Sequence, residues 1–108
     1  MLEPLQRGLK LIEALKTVHA DFPPNGLAIF LSLINKEGVS CTELVEDLDM
    51  PKATVSRNLR MLGPMLSPHK EGMKLVNLIH DPDDYRVRRA YLSKEGKKFA
   101  QKIQEALS

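Results

Sequence analysis

Residues 40–62, SCTELVEDLDMPKATVSRNLRML, predict two short helices separated by a tight break, and this pair restricts the possible fold more than any other feature. Ser40 and Glu43 have capping-box spacing, in which the serine side chain accepts from the glutamate amide and the carboxylate reaches back to the serine amide. At the break, Asp49 tolerates left-handed backbone angles, and Pro51 can open a helix because its missing N–H would be unpaired there. Two helices joined in this way are typical of a helix-turn-helix motif.

The second of these helices, predicted over residues 51–62, is amphipathic. Its apolar positions Val55, Leu59 and Leu62 recur at spacings of four and three, so we expect that face to be buried. The second helix of such a motif enters the major groove of DNA, where an arginine can donate two hydrogen bonds to guanine. The candidate contacts are Arg57 and Arg60 for bases, and Lys52, Thr54 and Ser56 for phosphate or sugar. The alternative is a surface helix whose polar side chains only confer solubility.

Residues 73–92 change to a strand-like pattern. Two segments rich in Val, Ile, Leu and Tyr flank residues 81–85, DPDDY, which have the composition of a turn. The sequence therefore predicts a β-hairpin with a polar tip. Its flanks are basic and include Lys74, His80, Arg86, Arg88 and Arg89. Because Arg88 and Arg89 are adjacent in a strand, they point to opposite faces, and we expect one of them to face phosphate.

Three further helices are predicted from apolar spacing. An amphipathic helix covers residues 2–20, and a helix that is apolar on nearly all sides covers residues 26–37. The break between them is residues 21–26, DFPPNG, and Gly38 is expected to stop the second helix. The last helix covers residues 94–107, with a serine before it as the cap.

Composition places the chain among globular proteins of one domain, since it has 108 residues with 43% apolar and 28% charged side chains. Residues 1–50 contain 4 Lys/Arg against 8 Asp/Glu, a net −4, whereas residues 51–108 contain 12 against 6, a net +6. The change of sign coincides with the start of the second motif helix. This asymmetry favours contact between the second half of the chain and a polyanion.

Several classes of protein are disfavoured. No apolar run approaches the roughly 20 residues of a membrane span, and the charged N-terminus does not resemble a signal peptide. A single cysteine, Cys41, fits a reducing cytoplasm. We expect no metal, cofactor or catalytic centre and no enzymatic activity, because the cysteine and histidines are scattered and no nucleophile–base set stands out. Residues 81–84 contain three aspartates but have turn composition first.

Two stretches resemble the MarR family of bacterial transcription regulators. Residues 44–62 are similar to the helix-turn-helix of the family, with the TVSR tetrad at residues 54–57 as the most recognisable piece. Residues 81–99 resemble its wing, in which a D-x-R turn at residues 84–86 precedes a strand and a Leu-Ser-x-x-Gly helix start at residues 92–96. The chain is thus identified as mainly α with a small β-hairpin, a winged helix-turn-helix of the α+β class.

The resemblance implies a role for the hairpin tip. In the family, the arginine at the position of Arg86 reaches into the minor groove, whose narrow form concentrates negative potential. Asp84 is expected to fix the tip by hydrogen bonding or by pairing with Arg86 or Arg88; the alternative is an ordinary turn aspartate. Residues 63–72, GPMLSPHKEG, depart from the family as an insertion between the second motif helix and the wing. Whether a small-molecule effector binds stays open.

We therefore predict a sequence-specific regulator that binds double-stranded DNA as a homodimer, with residues 51–62 in the major groove and residues 80–89 in the minor groove. Occlusion of a promoter, and hence repression, is the expected effect. The leucine-rich helix at residues 2–20 and the stripe of Phe99, Ile103 and Leu107 are candidate dimer surfaces. The alternatives are a module that binds an acidic protein and a replication or plasmid-maintenance protein. The candidate DNA-binding residues are Lys52, Thr54, Ser56, Arg57, Arg60, Asp84, Arg86 and Arg88.

Overall fold

The computed structural model describes residues 3–108 and contains the predicted helices and hairpin. Its elements are α1 (Glu3–Val18), α2 (Pro24–Asn35), β1 (Val39–Ser40), α3 (Cys41–Leu48), α4 (Lys52–Leu62), β2 (Met65–Ser67), β3 (Lys70–Glu71), β4 (Val76–His80), β5 (Arg88–Leu92) and α5 (Lys94–Leu107). Of the helix predicted over residues 2–20, residue 2 lies outside the described part. The predicted winged helix-turn-helix, mainly α with a small hairpin, is confirmed.

The turn between α3 and α4 follows the predicted chemistry with one exception. The Ser40 side chain accepts from the Glu43 amide at 3.2 Å, and Asp49 adopts left-handed angles (φ 52°, ψ 49°). Pro51 is the N-cap of α4, so the helix begins at Lys52. The reciprocal half of the capping box was wrongly predicted, because the Glu43 carboxylate accepts from the Ser40 hydroxyl and from Arg89.

The wing is part of a three-stranded antiparallel sheet in the order β1–β5–β4. β4 and β5 pair in continuous register from Val76 opposite Leu92 to His80 opposite Arg88. β1 was not predicted, because a two-residue strand has no periodicity of its own. It lies on the other side of β5 and thereby joins the wing to the start of α3.

The boundaries of α2 differ from the prediction by two residues at each end. Pro23 is the extended N-cap and Pro24 occupies the first turn, where the missing N–H of proline costs no hydrogen bond. Gly26 is therefore helical and buried; a Cβ there would lie 3.0 Å from Met61 Cε, so glycine permits the close approach of α4. The helix stops before Lys36, and Gly38 (φ 82°) instead turns the chain into β1.

The core lies where α2, α4, α5 and the sheet meet. Phe30 of α2 is fully buried, and its ring centroid lies 5.4 Å from that of Phe99. Ile103 of α5 is also buried. Phe99 and Ile103, two members of the predicted dimer stripe, therefore belong to the core of this chain, and that part of the prediction was wrong. The third member, Leu107, is 46% exposed. The wide apolar face of α1 is only partly used. Its exposed members are Leu5, Leu9 and Ile12, at 66%, 61% and 48%.

Candidate nucleic-acid interface

Helix α4 buries one face and leaves the opposite face free for a ligand. Val55, Leu59 and Leu62 are buried as predicted and pack α4 onto the core. Arg57 and Arg60 are exposed. Within residues 3–108, neither arginine has an ion-pair partner within 4.0 Å, so both guanidinium groups are available to a negatively charged or acceptor-rich ligand.

A groove of about 580 Å³ separates α4 from the wing. Its basic lining consists of Lys52 and Arg60 from α4 and Arg86, Arg88 and Arg89 from the wing. Among the described residues, no acidic side chain lines the groove, although 14 acidic residues occur in the chain. A concave surface bordered by cations of two elements focuses positive potential and suits a polyanion.

The tip of the wing presents Arg86 in a fixed orientation. The Asp84 carboxylate accepts from the Arg86 backbone amide and Nε, each at 3.1 Å, and from Nη2 at 3.3 Å. These bonds, first the one from the Arg86 side chain, hold the pKa of Asp84 below its usual range. The Arg86 side chain is nevertheless 90% exposed. Asp84 thus fixes the tip as predicted, with Arg86 and not Arg88 as its partner, and acts by orienting that arginine.

Arg89 ties the wing to the helix-turn-helix. Its Nε donates to Asp81 at 2.7 Å, and its Nη1 donates to the Glu43 carboxylate at 3.1 Å and to the Gly38 carbonyl at 2.9 Å. The hydrogen bond from the Arg89 side chain, followed by the one from the Asp83 amide, lowers the pKa of Asp81. Wing, α3 and the loop before β1 are therefore held in one arrangement.

The sequence did not identify this role of Arg89. The turn composition marked Asp81, and the capping box marked Glu43, but nothing in the sequence connects these residues, which lie 8 and 46 positions from Arg89, to one guanidinium. Arg88 and Arg89 both line the groove, but Arg88 is exposed whereas Arg89 is half-buried and paired with Asp81 and Glu43. The two adjacent arginines therefore differ in exposure and in pairing.

A second contact that the sequence did not indicate also stabilises the tip. The rings of His80 and Tyr85 are stacked, with centroids 3.9 Å apart and planes inclined by 12°. His80 Nδ1 lies 2.8 Å from the Tyr85 carbonyl oxygen, so this nitrogen carries the proton and donates. Two contacts therefore hold the turn in place: the His80–Tyr85 contact and the Asp81–Arg89 ion pair.

The predicted contact residues are arranged in three groups. Lys52, Ser56 and Arg60 of α4 face Arg86 and Arg88 of the wing across the groove. Arg57 is exposed on α4 outside that groove. Thr54 is half-buried and its carbonyl accepts from the side chain of Asn58 within the helix, and Asp84 lies behind Arg86.

The described residues form neither a metal-binding cluster nor a membrane-spanning helix. No group of three or more His, Cys, Asp or Glu side chains in residues 3–108 is placed to hold a metal ion. Cys41 is half-buried at the edge of the groove. In the same range of residues, the helices are too short or too polar to cross a membrane.

Known proteins resemble this chain in three-dimensional structure, whereas sequence comparisons found no match. No protein-family model matches the chain, and no curated protein matches its sequence. Solved structures with the same fold do exist, and they are MarR-family transcriptional regulators. The chain therefore has a MarR-like winged-helix fold.

Three of these structures show the extent of the likeness. A MarR transcriptional regulator from Methanosarcina mazei Go1 has a TM-score of 0.73 at 17% identity, over 91% of this chain and 63% of the other. The YusO protein from Bacillus subtilis has a TM-score of 0.72 at 16% identity, over 95% and 66%. A mutant MepR from S. aureus bound to an oligodeoxyribonucleotide has a TM-score of 0.73 at 19% identity, over 94% and 67%. The chain thus spans about two thirds of the length of these regulators.

Proposed function

We propose that this protein is a sequence-specific regulator of transcription that binds double-stranded DNA. The observation that carries the proposal is the basic groove between α4 and the wing, which has cations on both walls and no acidic side chain among the described residues. Such a surface matches the charge of a phosphate backbone, whose neutralisation supplies much of the affinity of DNA-binding proteins. The DNA-bound MepR structure has the same fold and supports the same choice of ligand.

In the proposed complex, α4 lies in the major groove. That groove is about 12 Å wide and admits a helix, and its base edges distinguish all four base pairs. Arg57 is exposed and unpaired among the described residues, so it can donate two hydrogen bonds to one guanine. Lys52, Ser56 and Arg60 are proposed to hold α4 in register through phosphate, sugar or base contacts.

The wing is proposed to enter the adjacent minor groove through Arg86. Asp84 uses two donors of this guanidinium, which has five, so the remaining N–H groups can reach acceptors on the DNA. The carboxylate also removes much of the rotational freedom of the arginine before binding. Less conformational entropy is then lost when the arginine is immobilised in the complex.

A homodimer on an inverted repeat is the proposed assembly, and repression by occlusion of a promoter is the proposed effect. One winged helix reads a few base pairs, whereas two related by a two-fold axis read two half-sites about 34–36 Å apart. The exposed stripe of Leu5, Leu9 and Ile12 on α1 supports self-association, because a contiguous apolar face on a helix is unfavourable in water.

Selection of bound sequences from random duplex DNA tests this proposal in one experiment. We expect enrichment of a motif with two inverted half-sites. Enrichment of a single half-site without symmetry would contradict the proposed dimer but would still support sequence-specific DNA binding. Failure to enrich any motif, at low salt and with folded protein, would contradict sequence-specific binding and favour an acidic protein partner.

Replacement of Arg86 tests the wing. Arg86→Ala is expected to weaken binding mainly to sites with A·T-rich flanks, since narrow A·T minor grooves concentrate the potential that attracts arginine. Arg86→Lys keeps the charge but loses the paired bonds to Asp84, and we expect an intermediate affinity. Affinities for duplexes that differ only in flank composition measure the effect, with Lys97→Ala on the exposed face of α5 as the control for loss of one cation. Equal affinities of wild type and Arg86→Ala on both flanks would remove the wing from the mechanism.

A further inference from the structure

Residues 63–72, the insertion that the winged-helix pattern does not require, form a small hairpin of their own. β2 and β3 pair antiparallel, with Met65 opposite Glu71 and Ser67 opposite Lys70. Pro68 and His69 therefore form the tip. The hairpin follows α4 after a short connection, so it is placed at the end of the proposed recognition helix.

The segment that follows the hairpin, residues 73–75, is hydrogen-bonded through its main chain to the last turn of α4 and to Gly63. Met73 N–H donates to the Met61 carbonyl at 2.7 Å, and Leu75 N–H donates to the Leu62 carbonyl at 2.8 Å. Two carbonyls that a helix end normally leaves to water or to a cap are thereby used. Lys74 N–H donates to the Gly63 carbonyl at 3.0 Å, so the bonds continue into the connection.

Close packing at the base of the hairpin adds to these bonds. Gly72 has no room for a side chain, because a Cβ would lie against the Gly63 carbonyl oxygen and 3.0 Å from the Arg60 carbonyl oxygen. The hairpin thus packs directly on the backbone of a residue whose side chain lines the groove. The base of the hairpin is therefore held against the last turn of α4.

The hairpin has one lysine and one glutamate, and the lysine is the one left unpaired among the described residues. Its one acidic residue, Glu71, is paired with Lys74 at 3.3 Å. Lys70 and His69 are exposed at the tip, and within residues 3–108 Lys70 has no ion-pair partner within 4.0 Å. An unpaired lysine next to the tip is a cation available to a ligand.

We infer that residues 65–71 act as a second wing, in which Lys70 contacts a DNA phosphate beyond the C-terminal end of α4. This inference rests on the proposed function. Helix α4 has 11 residues and is about 16 Å long, and a three-residue strand adds roughly 10 Å. A hairpin that extended this distance along the duplex axis would cover roughly three further base pairs, at about 3.4 Å per base pair. The hairpin adds affinity and footprint without reading bases, since phosphate contacts carry no sequence information.

The salt dependence of binding by the full-length chain tests this role of Lys70. Lys70→Gln is expected to make the slope of log K against log salt shallower by about 0.9 for each hairpin contact that is lost. Lys70→Arg keeps the charge and is expected to restore the wild-type slope. Lys97→Gln, on the exposed face of α5, is the matched control and is expected to change nothing. Hydroxyl-radical footprinting of the selected duplex should show protected sugars past the end of the motif, lost in Lys70→Gln.

The outcomes separate this inference from the proposed function. If wild-type protein binds its selected site but Lys70→Gln retains both slope and footprint, the second wing is wrong and the proposed function is unaffected. If wild-type protein binds no duplex, the proposed function fails and the second wing fails with it. Thermal unfolding of each variant controls for folding; Lys70 is exposed, so we expect no change in Tm.

Discussion

The affinity of this protein for its selected duplex is expected to fall about 10³- to 10⁵-fold when the salt concentration rises from 50 to 200 mM. Each subunit presents three to five cations on the proposed DNA-binding side. A dimer would therefore neutralise roughly 6–10 phosphates, which releases the same order of counterions. The cations are Lys52, Arg57, Arg60, Arg86 and Arg88.

The measurement is a titration of fluorescently labelled duplex at five or more salt concentrations, plotted as log K against log salt. At about 0.9 per phosphate, the expected slope lies between roughly −5 and −9. A monomer would give about half of that value. A nearly flat response would contradict the proposed interface, because a surface with this many cations cannot bind a duplex without displacing counterions.

The helices of this fold are predictable because local signals determine them. The Ser40 cap, the left-handed Asp49 and the proline at position 51 each act on residues next to them in the chain, and the structure has each of them. The hairpin is predictable for the same reason, since the turn sequence lies between two strand-forming segments. Burial of the apolar side of α4 follows from its period.

Tertiary contacts explain what the sequence did not indicate. Gly26 is helical and contacts side chains of α4, although the composition of residues 21–26 is typical of a loop. Phe99 and Ile103 have the spacing of a dimer stripe, but α5 packs this face onto its own core. Periodicity identifies an apolar face without identifying what covers it. For the same reason, α1 is left with an exposed stripe that periodicity alone could not distinguish from core.

In the candidate site too, the residue types were predictable from the sequence but the contacts between them were not. The cations of α4 and the wing were identified from residue type and position in the motif, and the structure places Arg60, Arg86 and Arg88 around one groove. The geometry that holds them could not be predicted, because Arg89 joins groups 46 and 8 positions away in sequence. The orientation of Arg86 therefore depends on the wing, and the wing is fixed to α3 by Arg89, which was not among the predicted contact residues.

Arg57→Ala is expected to lower affinity for the selected site by about 1–3 kcal/mol, which is roughly 5- to 150-fold, and to relax the preference at one base position. The physical reason is that one guanidinium can donate two bonds to guanine O6 and N7, which no other base offers in that arrangement. Arg57→Lys keeps the charge but not the fork of donors, so we expect it to lose most of the base preference while keeping part of the affinity. Stability should be unchanged, because the side chain is exposed.

Comparison of the selected duplex with random duplex decides between two roles for Arg57. If it contacts a base, the alanine variant loses affinity for the selected site and retains its affinity for random DNA. If it contacts phosphate, both affinities fall by the same factor and the salt slope becomes shallower by about 0.9. The second result would contradict the assignment of Arg57 as the base-reading residue. Arg60 would then be the remaining arginine on α4, since it is exposed and its side chain lines the groove.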